Sequence, residues 1–158
     1  MEAPIISYAG FWKRFAAYLI DSIILSIVSL IVVLPFIFVL GMGVALTAIS
    51  EEPDQAIPAV LSAIVGWLFM ILLLTVGQWL YFALMESSRQ QGTLGKMAVG
   101  IKVTDLNGNP VTFGRATGRY FAKIISSLTF GIGYIIAGFT DRKQALHDMI
   151  ASCLVLDK

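Results

Sequence analysis

"FWKRFAAYLIDSIILSIVSLIVVLPFIFVL", residues 11–40, opens on Lys13 and Arg14 and then runs apolar to its end, interrupted only by the acid Asp21. From Phe15 to Leu40 the 26 residues hold no other charged side chain. At about 1.5 Å of rise per residue, a helix of that length covers roughly 39 Å, more than the hydrocarbon thickness of about 30 Å. Residues 15–40 therefore read as a membrane-spanning helix, with residues 1–14 as its flanking terminus. A cleaved signal peptide competes, with Lys13 and Arg14 as its basic region and "ALTA" near Ala48 as a weak cleavage site. Against it, the apolar run far exceeds the roughly 7–15 residues such a signal uses, and an internal acid is foreign to it. Pro35 lacks the amide proton of a helical bond, which predicts a kink or a local break in the outer half.

The rest of the chain has the same solvent. Of 158 residues, 58% are hydrophobic and 13% charged, and the mean hydropathy is +0.84, outside the balance of soluble domains. Eleven Lys and Arg against ten Asp and Glu leave no global basic field to recruit nucleic acid. The single Cys153 rules out an internal disulfide and a multi-thiolate metal site within one chain. A second run, residues 59–85, is apolar apart from Gln78 and reads as a second spanning helix. Between the two, residues 41–58 hold Gly41, Gly43, Pro53, Pro58 and the acids Glu51, Glu52 and Asp54, and read as an extramembrane loop.

That loop has no Lys or Arg, whereas Lys13 and Arg14 precede the first helix and Arg89, Lys96, Lys102, Arg115 and Arg119 follow the second. Basic residues mark the cytoplasmic side, so both the N-terminus and residues 86–114 are expected there. Aromatic clusters, Phe11, Trp12 and Tyr18 on one helix and Trp79, Tyr81 and Phe82 on the other, gather on the same side, where headgroups suit their rings. Within residues 86–114, Val99, Ile101 and Val103 alternate with Gly100, Lys102 and Thr104, then "DLNGNP" turns and "VTF" resumes, which predicts a small β-hairpin. "SCLVLD" at the C-terminus is another extended run that would add a third strand if it lies on the same face.

Residues 115–140 form a third membrane-associated segment. Its uncharged core, Ile124 to Thr140, is only 17 residues and is weakened by Ser126, Ser127, Thr129, Gly131, Gly133 and Gly138. A crossing would put Arg142, Lys143 and Lys158 outside, against the charge rule, and would forbid the added strand. A re-entrant or in-plane helical hairpin satisfies both, and it is the expected form. Residues 141–158 then supply a C-terminal helix and strand. The fold class is an all-α membrane protein with two spanning helices, a third short segment and a small β-hairpin.

Five residues form the candidate intramembrane charge network: Arg14, Asp21, Arg119, Lys123 and Asp148. Arg14 and Asp21, seven residues apart, share a helix face with Cα atoms roughly 10.5 Å apart. An isolated acid at that depth costs about 2.5–3.5 kcal/mol, so Asp21 is expected to find a partner, with Arg119 and Lys123 nearest in depth. Arg115, Arg119 and Lys123 recur every four residues on one helical face, a stripe that can lie among headgroups, pair with the acid, or do both. Arg115, His147 and Gln78 are secondary candidates. His147 beside Asp148 reads as structural, through capping or pairing with Arg14, since neighbours on a helix point about 100° apart and no nucleophile is placed. "GTLGKM" lacks the spacing and hydroxyl of a phosphate loop. Gly114 and Gly118 hint at close helix contact. No catalytic residue, cofactor loop or metal cluster is read, and no enzyme is expected.

"FWKRFAAYLID", "GTLGKMAVGIKVTDLNGNPVTF" and "ALHDMIASCLVL" together resemble the RDD family of small bacterial integral membrane proteins, over nearly the whole chain. The resemblance implies one RDD membrane domain over residues 1–158, in a bacterial cytoplasmic (inner) membrane. It also implies that Arg14 and Asp21 are the family's arginine and first aspartate, with Asp148 as the second and Asp141 and Asp105 as its rivals. It implies no firm activity: transport of unidentified ligands and ion or proton antiport have been suggested.

Two functions follow as expectations. In one, the charges form a structural polar clasp and the chain is an accessory or assembly component. In the other, Asp21 couples an ion or small solute in a transporter; two helices enclose no route alone, so this needs a homo-oligomer or a larger membrane protein partner in the lipid bilayer.

Overall fold

The computed structural model describes residues 7–49 and 53–158; Glu51 and Glu52, and with them most of the expected acidic patch, lie outside those residues. The first helix, α1, spans Phe11–Ile49 and the second, α2, Pro53–Ser87. Both outrun the expected bounds: α1 continues nine residues past Leu40, and α2 starts six residues before Ala59. The residues read as a loop are mostly helical. Residues 41–49 carry no charge, and an apolar backbone beside hydrocarbon meets its hydrogen-bonding needs only by remaining helical. Pro53 stands at the first helical position, where a missing amide proton costs nothing. Helix α1 also runs through Pro35 without a break.

Residues 24–78 form one compact unit, the apolar lengths of α1 and α2. Their contact is close at Gly66, where a Cβ would stand 3.2 Å from Leu40 Cδ1 and 3.4 Å from Phe36 Cζ. Outward side chains such as Val39, Val65 and Phe69 are more than half exposed. Both helices are long and apolar enough to cross a membrane.

The second unit comprises residues up to 23 and from 79 onward. It gathers the N-terminal end of α1, the C-terminal end of α2, a short helix α3 (Leu94–Ala98), strand β1 (Ile101–Asp105), helices α4 (Phe113–Leu128) and α5 (Ile132–Ile135), a 3-10 turn (Ile136–Gly138), helix α6 (Leu146–Ile150) and strand β2 (Cys153–Asp157). Strands β1 and β2 are antiparallel, in register from Ile101 opposite Asp157 to Asp105 opposite Cys153. Ile101, Val103, Cys153 and Val155 are fully buried and form the core with Ala9, Ala17, Ala83, Val111 and Ala116. Both outer edges are covered, as exposed strand edges must be. The Ala9 amide donates to the Val155 carbonyl at 2.9 Å, and the Val103 amide donates to the Gln91 carbonyl at 2.6 Å.

The sheet is therefore not a local hairpin. After the turn at Asn107 and Gly108 the chain makes a single bridge, Pro110 to Thr104. Thr112 then caps α4, its side chain accepting the Arg115 amide. Proline cannot donate to a ladder and Thr112 is spent as a helix cap, so the second arm of the hairpin stops there and β2 takes its place.

Pairing of β1 with β2 brings together the two ends of the segment that contains α4, α5 and α6. Helix α4 and the α5 pair are bent by 118°. The bend lies at Phe130 and Gly131, with φ of 52° and 81°. Gly133 allows the return, because a Cβ there would lie 2.7 Å from Ser126 Cα. The segment thus bends back on itself between its paired ends.

Candidate functional site

Near the C-terminal end of α2 stands Glu86, which is 1% exposed. It accepts two bonds from Arg119 Nη1, at 2.8 Å to each oxygen, and one from Lys96 Nζ. Arg119, on the buried face of α4, turns its other edge to Asp148, with Nε and Nη2 at 2.8 and 2.7 Å from Oδ1. Asp148 Oδ2 takes Arg14 Nη1 and the Ala145 amide, the latter at 3.1 Å, which caps the first turn of α6. Arg14 also donates from Nε to the Ala9 carbonyl at 3.0 Å and from Nη2 to the Lys143 carbonyl at 2.6 Å. Lys123 Nζ lies 3.9 Å from Glu86 Oε1 and 4.2 Å over the Phe82 ring. One chain of contacts thus joins α1, α2, α3, α4 and α6.

Burial alone would push the Asp148 carboxyl up, but the guanidinium groups of Arg119 and Arg14 outweigh it and hold it well below the usual carboxylate range. Burial, aided by Arg119, pulls the His147 imidazole down to about 3, so the ring is neutral at neutral pH. Its Nδ1 lies 3.2 Å from Ser126 Oγ, and its Nε2 3.5 Å from Asp148 Oδ1. Burial also lowers the Lys96 ammonium, against the pull of Glu86.

Asp21 stands elsewhere. It is 2% exposed, and the expected pairing with Arg119 or Lys123 is not made. Its Oδ1 accepts the Tyr81 hydroxyl and the Gly95 amide, both at 2.8 Å, and its Oδ2 accepts the Thr93 hydroxyl at 2.5 Å. Three donors from α2 and α3 satisfy the carboxylate without a cation, while the nearby cations are drawn to Glu86 and Asp148. The approach depends on Gly95, since a Cβ there would clash with the Ala17 carbonyl oxygen and lie 2.8 Å from Asp21 Cγ.

Of the sequence candidates, the structure gathers Arg14, Arg119, Lys123 and Asp148, with His147 beside them. Arg115 points instead to Asp105, 4.0 Å away at the surface. Gln78 is exposed on α2. Gly114 and Gly118 face open space, so the close contact expected at them is absent. Residues missed from the sequence are Glu86, Lys96, Tyr81, Thr93 and Gly95. Glu86 carried a signal, as the first acid after the second apolar run, one residue past its expected end. Among the described residues no group of three His, Cys, Asp or Glu side chains is placed to hold a metal ion.

A model of the RDD family matches residues 8–152, from the strand-edge residues through Asp148. The chain belongs to the RDD family. This RDD protein is similar to the uncharacterized protein YxaI of Bacillus subtilis (strain 168), at 38% identity over the full length of both. It is also similar to the uncharacterized membrane protein YteJ of the same organism, at 33% identity over 98% of this chain and 85% of that protein. No solved structure matches it. It is an RDD family membrane protein with helices able to span a bilayer.

Proposed function

We propose that this RDD protein is an accessory or assembly component of a bacterial cytoplasmic membrane, in which the buried charges act as a clasp and do not carry an ion. The supporting observation is the placement of Arg119: its guanidinium, 3% exposed, is divided between Glu86 and Asp148. A charge committed on both edges orders helices and is not free to change partners along a route. The clasp holds the β1–β2 sheet and the turn at residues 105–109 against the helix ends, and that face is offered to a larger membrane protein or to a second copy. We place it in the cytoplasm, because Lys13, Arg89, Lys96, Lys102 and Arg115 all belong to this unit.

The transport reading assigns coupling to Asp21. Against it, three donors already close the Asp21 carboxylate. The test pairs two variants in one purified preparation. In proteoliposomes, wild type and Asp21→Asn are both expected to show proton and sodium flux at the level of empty liposomes, whereas Arg119→Met lowers folded yield and partner recovery together. Flux abolished by Asp21→Asn at unchanged folded yield would overturn the accessory reading.

A further inference from the structure

The ionic cluster is unbalanced. Among the described residues, Arg14, Lys96, Arg119 and Lys123 face two carboxylates, Glu86 and Asp148. Asp21 contributes no ion pair, being closed by a hydroxyl pair and an amide. A half-buried excess of positive charge is unfavourable unless an anion meets it.

One of the two excess charges is located at Lys123. Arg14, Lys96 and Arg119 each donate hydrogen bonds to a carboxylate. Lys123 Nζ has no oxygen within hydrogen-bonding distance among the described residues, the Glu86 carboxylate lying 3.9 Å away. Its partners are the faces of Phe82 and Tyr120, at 4.2 and 5.9 Å from the ring centres. The side chain is 22% exposed, so its three donors have an outlet. On either side of it α4 presents Phe121, Ile124, Ile125 and Leu128, all exposed apolar side chains. A cation bordered by aromatic rings, at the edge of an apolar helix face, has the chemistry of a lipid headgroup seat.

We infer that Lys123 seats the phosphate of an anionic membrane lipid at the exposed side of its ammonium, away from the packed Phe82 and Tyr120 rings, with the lipid chains along the apolar face of α4. The phosphate supplies one of the two missing negative charges and accepts a hydrogen bond from Nζ. This assignment is independent of the accessory reading, because a transporter would need the same charge balance.

The experiment counts lipids retained by the purified chain in native mass spectrometry, after exchange into mixed micelles of phosphatidylglycerol and phosphatidylcholine. Wild type is expected to retain phosphatidylglycerol preferentially, by about fivefold for one interfacial cation. Lys123→Met and Lys123→Gln abolish the preference, Lys123→Arg keeps it, and Arg115→Met, an exposed basic change on the same helix, leaves it in place. Loss of helical content in Lys123→Met shifts the comparison to the Arg and Gln variants, whose contrast still decides. An unchanged preference in Lys123→Gln, or an equal loss in Arg115→Met, overturns the site. Competition by millimolar glycerol phosphate overturns the lipid assignment in favour of a soluble phosphate ester.

Discussion

Arg119 and Asp148 meet through two guanidinium nitrogens on a single carboxylate oxygen, at 2.8 and 2.7 Å, in a site where neither side chain is more than 3% exposed. The other carboxylate oxygen is held by Arg14, 134 residues away in sequence. Breaking such a pair by removing one partner leaves a buried charge without compensation. Arg119→Met is therefore expected to destabilise the fold by about 3–5 kcal/mol. Arg119→Lys also fails to restore it, because an ammonium cannot span two carboxylates as a planar fork does. Denaturant titration in detergent micelles measures both, and a Lys variant as stable as wild type would refute the bridging role.

Asp21 obeys a different rule. Asp21→Asn keeps the shape and one acceptor oxygen, so the expected loss is about 1–2 kcal/mol, the scale of one weakened buried hydrogen bond. Charge exchange between position 21 and Arg119 or Lys123 gives no rescue, since no pair exists to rebuild. Recovery of stability in either exchange would show that the hydrogen-bonded arrangement is not the one that matters.

Glycines separate by position. Gly95→Ala and Gly133→Ala each force a Cβ into atoms under 3 Å away, Asp21 Cγ in one case and Ser126 Cα in the other. Each is expected to cost about 1–3 kcal/mol or more, as overpacking does. Gly118→Ala meets nothing within 4 Å in a helix interior, and is expected to stabilise by about 0.5–1 kcal/mol. The same titration ranks all three, and equal effects would contradict the packing.

Stability also depends on pH through His147. Its folded pKa, about 3, lies below the ordinary 6.5, so the unfolded chain takes up a proton that the folded chain refuses. The contribution is complete above pH about 6.5 and is lost as pH falls toward about 3, with a slope approaching 1.4 kcal/mol per pH unit. Asp148, held below its usual range, adds a loss in the same direction only under more acidic conditions, beneath its unfolded value. His147→Gln should remove the slope between pH 4 and 6, and a slope unchanged in that variant would assign it to another group.

Sheet pairing makes the topology testable. Cysteines placed at Asn107 and Lys158, in a Cys153→Ala background, should label from the same side of sealed vesicles, because the strands they flank are paired. Labelling from opposite sides would require a crossing between β1 and β2.

Two helices able to span a membrane and a short, broken third segment were legible from local quantities: length of apolar run and the weakness of a 17-residue core crowded with glycine and serine. Hydropathy is additive along the chain, and a helix in lipid satisfies its own backbone, so such elements can be read without knowing what they touch. Partners could not be read in that way. The acid that Arg119 binds on α2 lies 33 residues before it, and the acid on α6 lies 29 residues after. Asp21 depends on Thr93 and Gly95, more than 70 residues on. Likewise β1 chose the distant C-terminal strand over the local one, because Pro110 and Thr112 had other uses. Which charge meets which depends on how close folded elements approach, a matter of a few ångströms set by glycines and core side chains. The sequence determined that this chain has two helices able to span a membrane; only the tertiary structure decided that Glu86, and not Asp21, receives cations.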